Sequence, residues 1–187
     1  ASVSMTDSYA IVGAFFAGND DDDENGAAYI YGKSNDGSWP DTVLVTLTHP
    51  SYGSGCFGFS VSMTDNYAIV GASGGDNGQG LAYIYGKGSD GSWSGTVLWI
   101  LNGMRSVDLF GQSGSGFAYT VSMTDSYAIV GALNPTYYEL AGAVYIYGKG
   151  SDGNWSITPL LAINGTNGTT SAFGCSVSMT DSYAIVG

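Results

Sequence analysis

Positive charge is what this sequence has least of. Of its 187 residues only Lys33, Lys87, Arg105 and Lys149 are basic, against 16 acids, for a formal charge of -12. A chain so poor in cations cannot neutralise a run of phosphates, which argues against nucleic acid and anionic lipid surfaces as partners. Histidine is almost absent too. His49, beside Pro50, has no recurring acidic or nucleophilic companion, and the chain holds no Gly-x-Ser-x-Gly elbow, zinc-ligand cluster or phosphate-cradling glycine loop. The expectation is therefore a protein that is not an enzyme; a glycosidase-type carboxylate pair is the last-ranked alternative. No apolar run approaches the roughly twenty residues that span a bilayer, and no basic-then-apolar leader opens the chain at Ala1. Cysteine is limited to Cys56 and Cys175, too few for a disulfide framework or a metal site. Two buried free thiols are expected, with a single bridge as the alternative.

What the sequence does have is repetition. Ser2–Gly13 (SVSMTDSYAIVG) returns at Ser60–Gly71 with Asn66 for Ser, at Thr120–Gly131 with Thr120 for Ser, and unchanged at Ser176–Gly187. Met5, Met63, Met123 and Met179 mark spacings of 58, 60 and 56 residues. A second block follows each of the first three copies: Ala28–Lys33, Ala82–Lys87 and Val144–Lys149. Then come Asp36-Gly37 with Trp39, Asp90-Gly91 with Trp93, and Asp152-Gly153 with Trp155, and each unit closes on an apolar run, 42–47, 96–101 or 157–163. The units are read as residues 2–59, 60–119 and 120–175, with a partial unit at 176–187, in a single array over 1–187.

Each unit predicts four short strands. Ser-Val-Ser-Met alternates polar and apolar, as a strand with one buried face does, and Tyr-Ala-Ile-Val-Gly is continuously apolar, as a strand covered on both faces is. Asp7-Ser8 and its counterparts predict a tight hairpin between them. Gly13, Gly71, Gly131 and Gly187 are expected to end the second strand at a sharp exit. The third strand places Tyr29 and Tyr31 on one face and Ile30 on the other, and Asn35-Asp36-Gly37 turns the chain into the fourth. The recurring Trp39, Trp93 and Trp155 are expected to pack between units. No helical periodicity appears. The fold class predicted is all-β: tandem four-stranded antiparallel blades, an array of the β-propeller type.

These blocks resemble the FG-GAP-type repeats of β-propellers, in particular the calcium-loop-free kind found in many secreted proteins. The resemblance is carried by Phe57-Gly58 before Ser60-Val61, by Ile69-Val70-Gly71-Ala72, by Gly80–Tyr83 and by Trp93; Phe173-Gly174 repeats the opening pair and Phe117-Ala118 departs from it. It implies blades of four antiparallel strands around an axis. Integrin-like members carry a calcium loop between the first two strands, where this chain has only Thr-Asp-Ser/Asn-Tyr, so those calcium residues do not transfer.

Several positions are candidate sites. Asp21, Asp23 and Asn25, followed by Gly26, have the alternating oxygen spacing of a calcium loop without the downstream bidentate Glu; a solvated acidic loop is the alternative. No cofactor is required on this reading, calcium being optional. Asn154, Asn164 and Asn167 head three N-glycosylation sequons and point to an extracellular or cell-surface location. Tyr137-Tyr138, present in the third unit alone, is a candidate ligand contact. Three units do not close a propeller, which needs about four blades. The expected partners are further repeats or copies of the same chain, joined head to tail as ring or fibre through the identical end segments, together with glycans or extracellular proteins. The functional expectation is an extracellular structural or adhesive scaffold, with a soluble glycan- or ligand-binding module as runner-up.

Overall fold

The computed structural model describes residues 1–18, 25–50, 55–74, 80–103, 116–133, 142–166 and 172–187. Every regular element among them is a β-strand. The first sheet holds β1 (Ser2–Met5), β2 (Tyr9–Ala14), β3 (Ala27–Gly32) and β4 (Val45–Thr48) in that order. The second holds β5 (Phe57–Met63), β6 (Tyr67–Ala72), β7 (Leu81–Gly86) and β8 (Trp99–Leu101), and the third β9 (Phe117–Met123), β10 (Tyr127–Ala132), β11 (Ala143–Gly148) and β12 (Leu161–Asn164). A hairpin of β13 (Val177–Met179) and β14 (Ala184–Val186) follows. All pairings within these sheets are antiparallel, giving an all-β stack of propeller-type blades.

Local chemistry explains the first hairpin. Thr6 Oγ1 accepts the amides of Ser8 (3.2 Å) and Tyr9 (3.0 Å), while the Thr6 amide donates to the Tyr9 carbonyl (2.8 Å). A threonine hydroxyl thus closes the turn, and Asp7-Ser8 need no left-handed backbone. Thr64, Thr124 and Thr180 repeat the arrangement. The third-to-fourth strand turns are Asx turns, in which Asp36, Asp90 and Asp152 accept from the backbone amides of Ser38, Ser92 and Asn154.

Alternation then sorts the side chains of each sheet onto two faces. On the first blade Ile11, Ile30 and Leu47 share a face, and they pack against Val61, Met63, Val70, Tyr83, Tyr85 and Trp93 of the second. One step on, Ile69, Ile84 and Leu101 pack against Val121, Met123, Val130, Tyr145, Tyr147 and Trp155. The core is therefore a series of layers between blades. The closely packed strand pairs between sheets all include the first strand of the later blade: β1 and β2 with β5, β5 and β6 with β9, β9 and β10 with β13. Blades converge at their first strands and fan outwards, as propeller blades do.

Three expectations need correction. The second strand does not end at its glycine, because β2, β6 and β10 run on to Ala14, Ala72 and Ala132. The fourth strand begins later than the apolar run, at Val45, Trp99 and Leu161; the preceding Leu44, Leu98 and Leu160 are exposed and join it by one amide each, donated to the Ile30, Ile84 and Ile146 carbonyls. Both cysteines are free, but neither is buried: Cys56 is half-buried and Cys175 exposed, each lying just before a first strand.

Candidate functional site: the joint between blades

Among the described residues, the arrangement that recurs with chemistry in it is the joint, and the first joint shows its parts. Along the inner edge, Ser2 Oγ accepts the Val61 amide (3.1 Å) and Ser4 Oγ accepts the Met63 amide (3.2 Å). These amides lie on the strand edge that no ladder pairs, and hydroxyls of the preceding blade satisfy them. Ser62 does the same for Met123 and Ser122 for Met179. At the hairpin tip Thr6 Oγ1 donates to Asp65 Oδ1 (2.6 Å), and Thr64 Oγ1 donates to Asp125 Oδ1. Asn66, which stands where the other copies have Ser8, Ser126 and Ser182, adds an amide donor to Asp125 Oδ2 at 2.7 Å.

Further out, aromatic rings clamp the joint. Tyr9 meets Trp93 edge to face at 5.6 Å, with Lys87 Nζ 4.1 Å from the Tyr9 ring centre; Tyr67 meets Trp155 at 6.0 Å, with Lys149 Nζ 4.5 Å from the Tyr67 ring. The Lys149 ammonium also donates to the Tyr67 hydroxyl at 3.2 Å. Half-burial of these lysines over aromatic faces uses two of the chain's four cations for packing. The tryptophan of the first blade is not clamped in this way: Trp39 is 41% exposed, against 7% for Trp93 and 3% for Trp155.

At the axial end of the joint, backbone meets backbone. A Cβ on Gly13 would overlap the Gly58 carbonyl, one on Gly71 the Ala118 carbonyl, and one on Gly131 the Gly174 carbonyl. Glycine is needed there for close approach of the next blade, not for a chain exit. Gly58 and Gly174 sit at φ +85° and +86°, and Ala118 occupies the same left-handed position at +62°. The Phe-Gly pair of one blade thus docks on the Gly-Ala pair of the blade before it. Residues 53–85 match the FG-GAP repeat. The family resemblance read from the sequence holds for this segment. In this matched segment the Phe57-Gly58 and Gly71-Ala72 halves pair within the blade, Phe57 opposite Ala72, and Gly58 also docks on Gly13 across the joint. No match was found among curated proteins.

The sequence-predicted sites fall around this joint unevenly. Asp21 and Asp23 lie outside the described residues, as do Tyr137, Tyr138 and Asn167. Asn25 is half-buried, and its carbonyl accepts the Phe57 amide (3.1 Å) across the first joint. No cluster of three metal-ligating side chains occurs among the described residues. Asn154 and Asn164 are exposed, and Asn154 Nδ2 donates to Asp152 Oδ2 at 2.9 Å. His49 Nε2 lies 3.0 Å from the hydroxyl of buried Tyr83, tying the first blade to the second.

Sequence reasoning missed two features. An aromatic ladder runs across three blades through Phe16, Phe15, Phe59 and Tyr119, with ring centres 4.2, 5.2 and 4.8 Å apart. Its signal is an aromatic two residues after Phe57 and Phe117, interrupted by Cys175 in the next copy. The second is a polar cleft of about 320 Å³ between the second and third blades, lined by Asn66, Tyr67, Ser89, Asp125 and Lys149.

Proposed function

We propose that the chain is a non-catalytic extracellular scaffold, structural or adhesive in role, that extends by adding blades at its open faces. The added blades come from further repeats of the same chain or from copies of it joined head to tail, as a ring or a fibre. One observation carries this reading: Val3 and Met5 are 70% and 67% exposed, whereas the equivalent Val61 and Met63 are 5% and 6% exposed. Burying such a side chain is worth about 2 kcal/mol, so an open joint face is a standing drive for association. The exposed sequon residues Asn154 and Asn164 support a location outside the cell, and no helix among the described residues is long and apolar enough to cross a membrane. Electron microscopy of native material with particle averaging tests the head-to-tail assembly: rings or filaments of stacked blades are the expected result, and discrete single-chain particles would retire it and leave further repeats of the same chain as the source of added blades.

The aromatic ladder favours a second reading, a platform for neutral glycans, since rings offered from successive blades suit the apolar faces of sugars. Retardation on neutral polysaccharide that Phe16→Ala and Tyr119→Ala abolish would support it. Calcium at Asp21, Asp23 and Asn25 also stands as a proposal. Its expected sign is a rise in Tm with millimolar calcium that Asp21→Asn removes, and an unchanged Tm would retire it.

A further inference from the structure

The polar cleft of about 320 Å³ between the second and third blades takes its walls from the first hairpin of the second blade, that blade's turn at Gly88 and Gly91, and Asp125 and Lys149 of the third. Main-chain bonds fix this frame. The Lys87 amide donates to the Asn66 carbonyl (3.1 Å), the Gly91 amide to the Gly88 carbonyl (3.0 Å), and the Lys149 amide to the Ser126 carbonyl (2.9 Å). Among the described residues the lining holds one acid, Asp125, and both its oxygens are capped: Oδ1 accepts from the Thr64 hydroxyl and Oδ2 from Asn66 Nδ2 (2.7 Å). What the cleft offers uncommitted is donors. The half-buried Lys149 ammonium donates to the Tyr67 hydroxyl oxygen (3.2 Å) and forms no ion pair among the described residues. Since that oxygen already accepts, the phenol hydrogen is left to donate, and among the described residues it meets no acceptor. Ser89 adds a hydroxyl to the same lining.

An unpaired ammonium beside a phenol hydrogen suits the two oxygens of an oxyanion. The chain's charge of -12 opposes every anion, and the Asp125 carboxylate in the wall opposes a dianion most, so a monovalent carboxylate fits where a phosphate does not. The rest of the lining is polar and small, with Asn66 Oδ1 free to accept, so it suits hydroxyls on the ligand and not an apolar body. The volume lies at the lower end of the range for small-molecule sites. We propose that this cleft binds a sugar acid, a polyhydroxylated monocarboxylate taken either free or as one unit of an acidic polysaccharide. Lys149 and Tyr67 hold its carboxylate, and Asn66 and Ser89 its hydroxyls. The site does not depend on how the array is extended, and it is distinct from the aromatic ladder. The first joint shows why the second is the one to carry it. Ser8 stands there in place of Asn66, so among the described residues no amide caps Asp65 Oδ2, and Lys87 Nζ lies over the Tyr9 ring without a hydrogen bond to its hydroxyl.

Titration of the full chain with D-galacturonate and with polygalacturonate, followed by the NMR signals of Tyr67 and Lys149, tests the site. Saturable shifts with the free acid alone assign the ligand as a free sugar acid, shifts with the polymer alone assign it as a unit within a chain, and shifts with neither overturn the proposal. With the probe that binds, removing its charge as the methyl ester should weaken binding at least about tenfold, the loss expected for a charge-assisted hydrogen bond. Lys149→Gln should cost a similar factor, Lys149→Arg should restore affinity to within about threefold, and Lys33→Gln should change nothing. Tyr67→Phe keeps the ring on which Trp155 and Lys149 pack, so the joint stays intact, and it should weaken binding about threefold through the lost hydroxyl. Equal affinity for acid and ester overturns the carboxylate site, as does inorganic phosphate binding more tightly than the acid. Lys149→Gln and Tyr67→Phe both without effect on affinity would overturn the assignment to this cleft.

Discussion

Lys87 Nζ lies 4.1 Å from the ring centre of Tyr9, although the two residues belong to different blades. Its counterpart Lys149 meets Tyr67 in the same way, whereas Lys33, on the first blade, lies 6.0 Å from its own Trp39. The same three residue types therefore have two fates, decided by whether a blade precedes them.

Tryptophan replacement should expose this difference. Trp93→Ala and Trp155→Ala are expected to cost about 3–5 kcal/mol in unfolding free energy, the range for a buried aromatic. Trp39→Ala should cost under about 1 kcal/mol, as its exposed ring leaves little burial to lose. Equilibrium denaturation of the three variants checks the ranking, and equal costs would contradict the joint as described.

Two glycines separate steric from conformational cost. Gly71→Ala puts a methyl into the Ala118 carbonyl and the Ser60 hydroxyl, and the backbone it meets cannot rotate away; a loss of about 3 kcal/mol is expected. Gly37 sits at φ +84° with no atom within 4 Å of an added Cβ, so Gly37→Ala should cost about 1 kcal/mol from the left-handed backbone alone. Thermal unfolding would show the larger Tm drop at Gly71.

Alkali should unfold the joints. Burial pushes the phenols of Tyr85, Tyr147 and Tyr145 upward from their usual value of 10.0, with the neighbouring Tyr83 and Tyr145 adding to the first two. A raised pKa means that the unfolded chain releases these protons first. Stability is intact below pH 10 and falls as pH rises above it. The part of the phenolate absorbance that Tyr85→Phe and Tyr147→Phe remove is expected to rise together with loss of β-sheet circular dichroism, and its rise before unfolding would contradict the burial.

Acid acts on the Asx turns with the opposite sign. Side-chain and backbone hydrogen bonds from Ser38, Ser92 and Asn154 hold Asp36, Asp90 and Asp152 below the usual 3.8. Their contribution is present above that value and disappears as pH falls through the lowered pKa. Asp90→Asn should flatten the acid limb of a stability–pH curve without moving the neutral plateau by a comparable amount, as the amide oxygen can still accept from Ser92.

Much of this architecture is legible in the amino-acid sequence. The fourfold string around Met5, Met63, Met123 and Met179 marks the blades, and the alternation of Tyr83, Ile84 and Tyr85 marks their two faces. Recurrence of Trp93 and Trp155 at one place in the unit correctly implies packing between units. The reason for Gly13 is not legible, because local pattern cannot report what stacks above a strand; the atom that demands a glycine there, the Gly58 carbonyl, is 45 residues away in sequence. The apolar runs likewise set the fourth strands too early, since Leu44 and Leu98 look like core and lie at the surface. Nor does composition say that Phe15, Phe59 and Tyr119 align, which depends on the stagger between blades.

The serine hydroxyls at the inner edge carry one more consequence. Because Ser4, Ser62 and Ser122 occupy the amides of Met63, Met123 and Met179, each first strand is held a side chain's length from the next, too far for its main chain to pair with it. At this inner edge the hydroxyls, and not a strand of the neighbouring sheet, take up the free amides. The first-strand edge of each sheet is thereby closed to the sheet extension by which repetitive, aromatic-rich β sequences turn into amyloid.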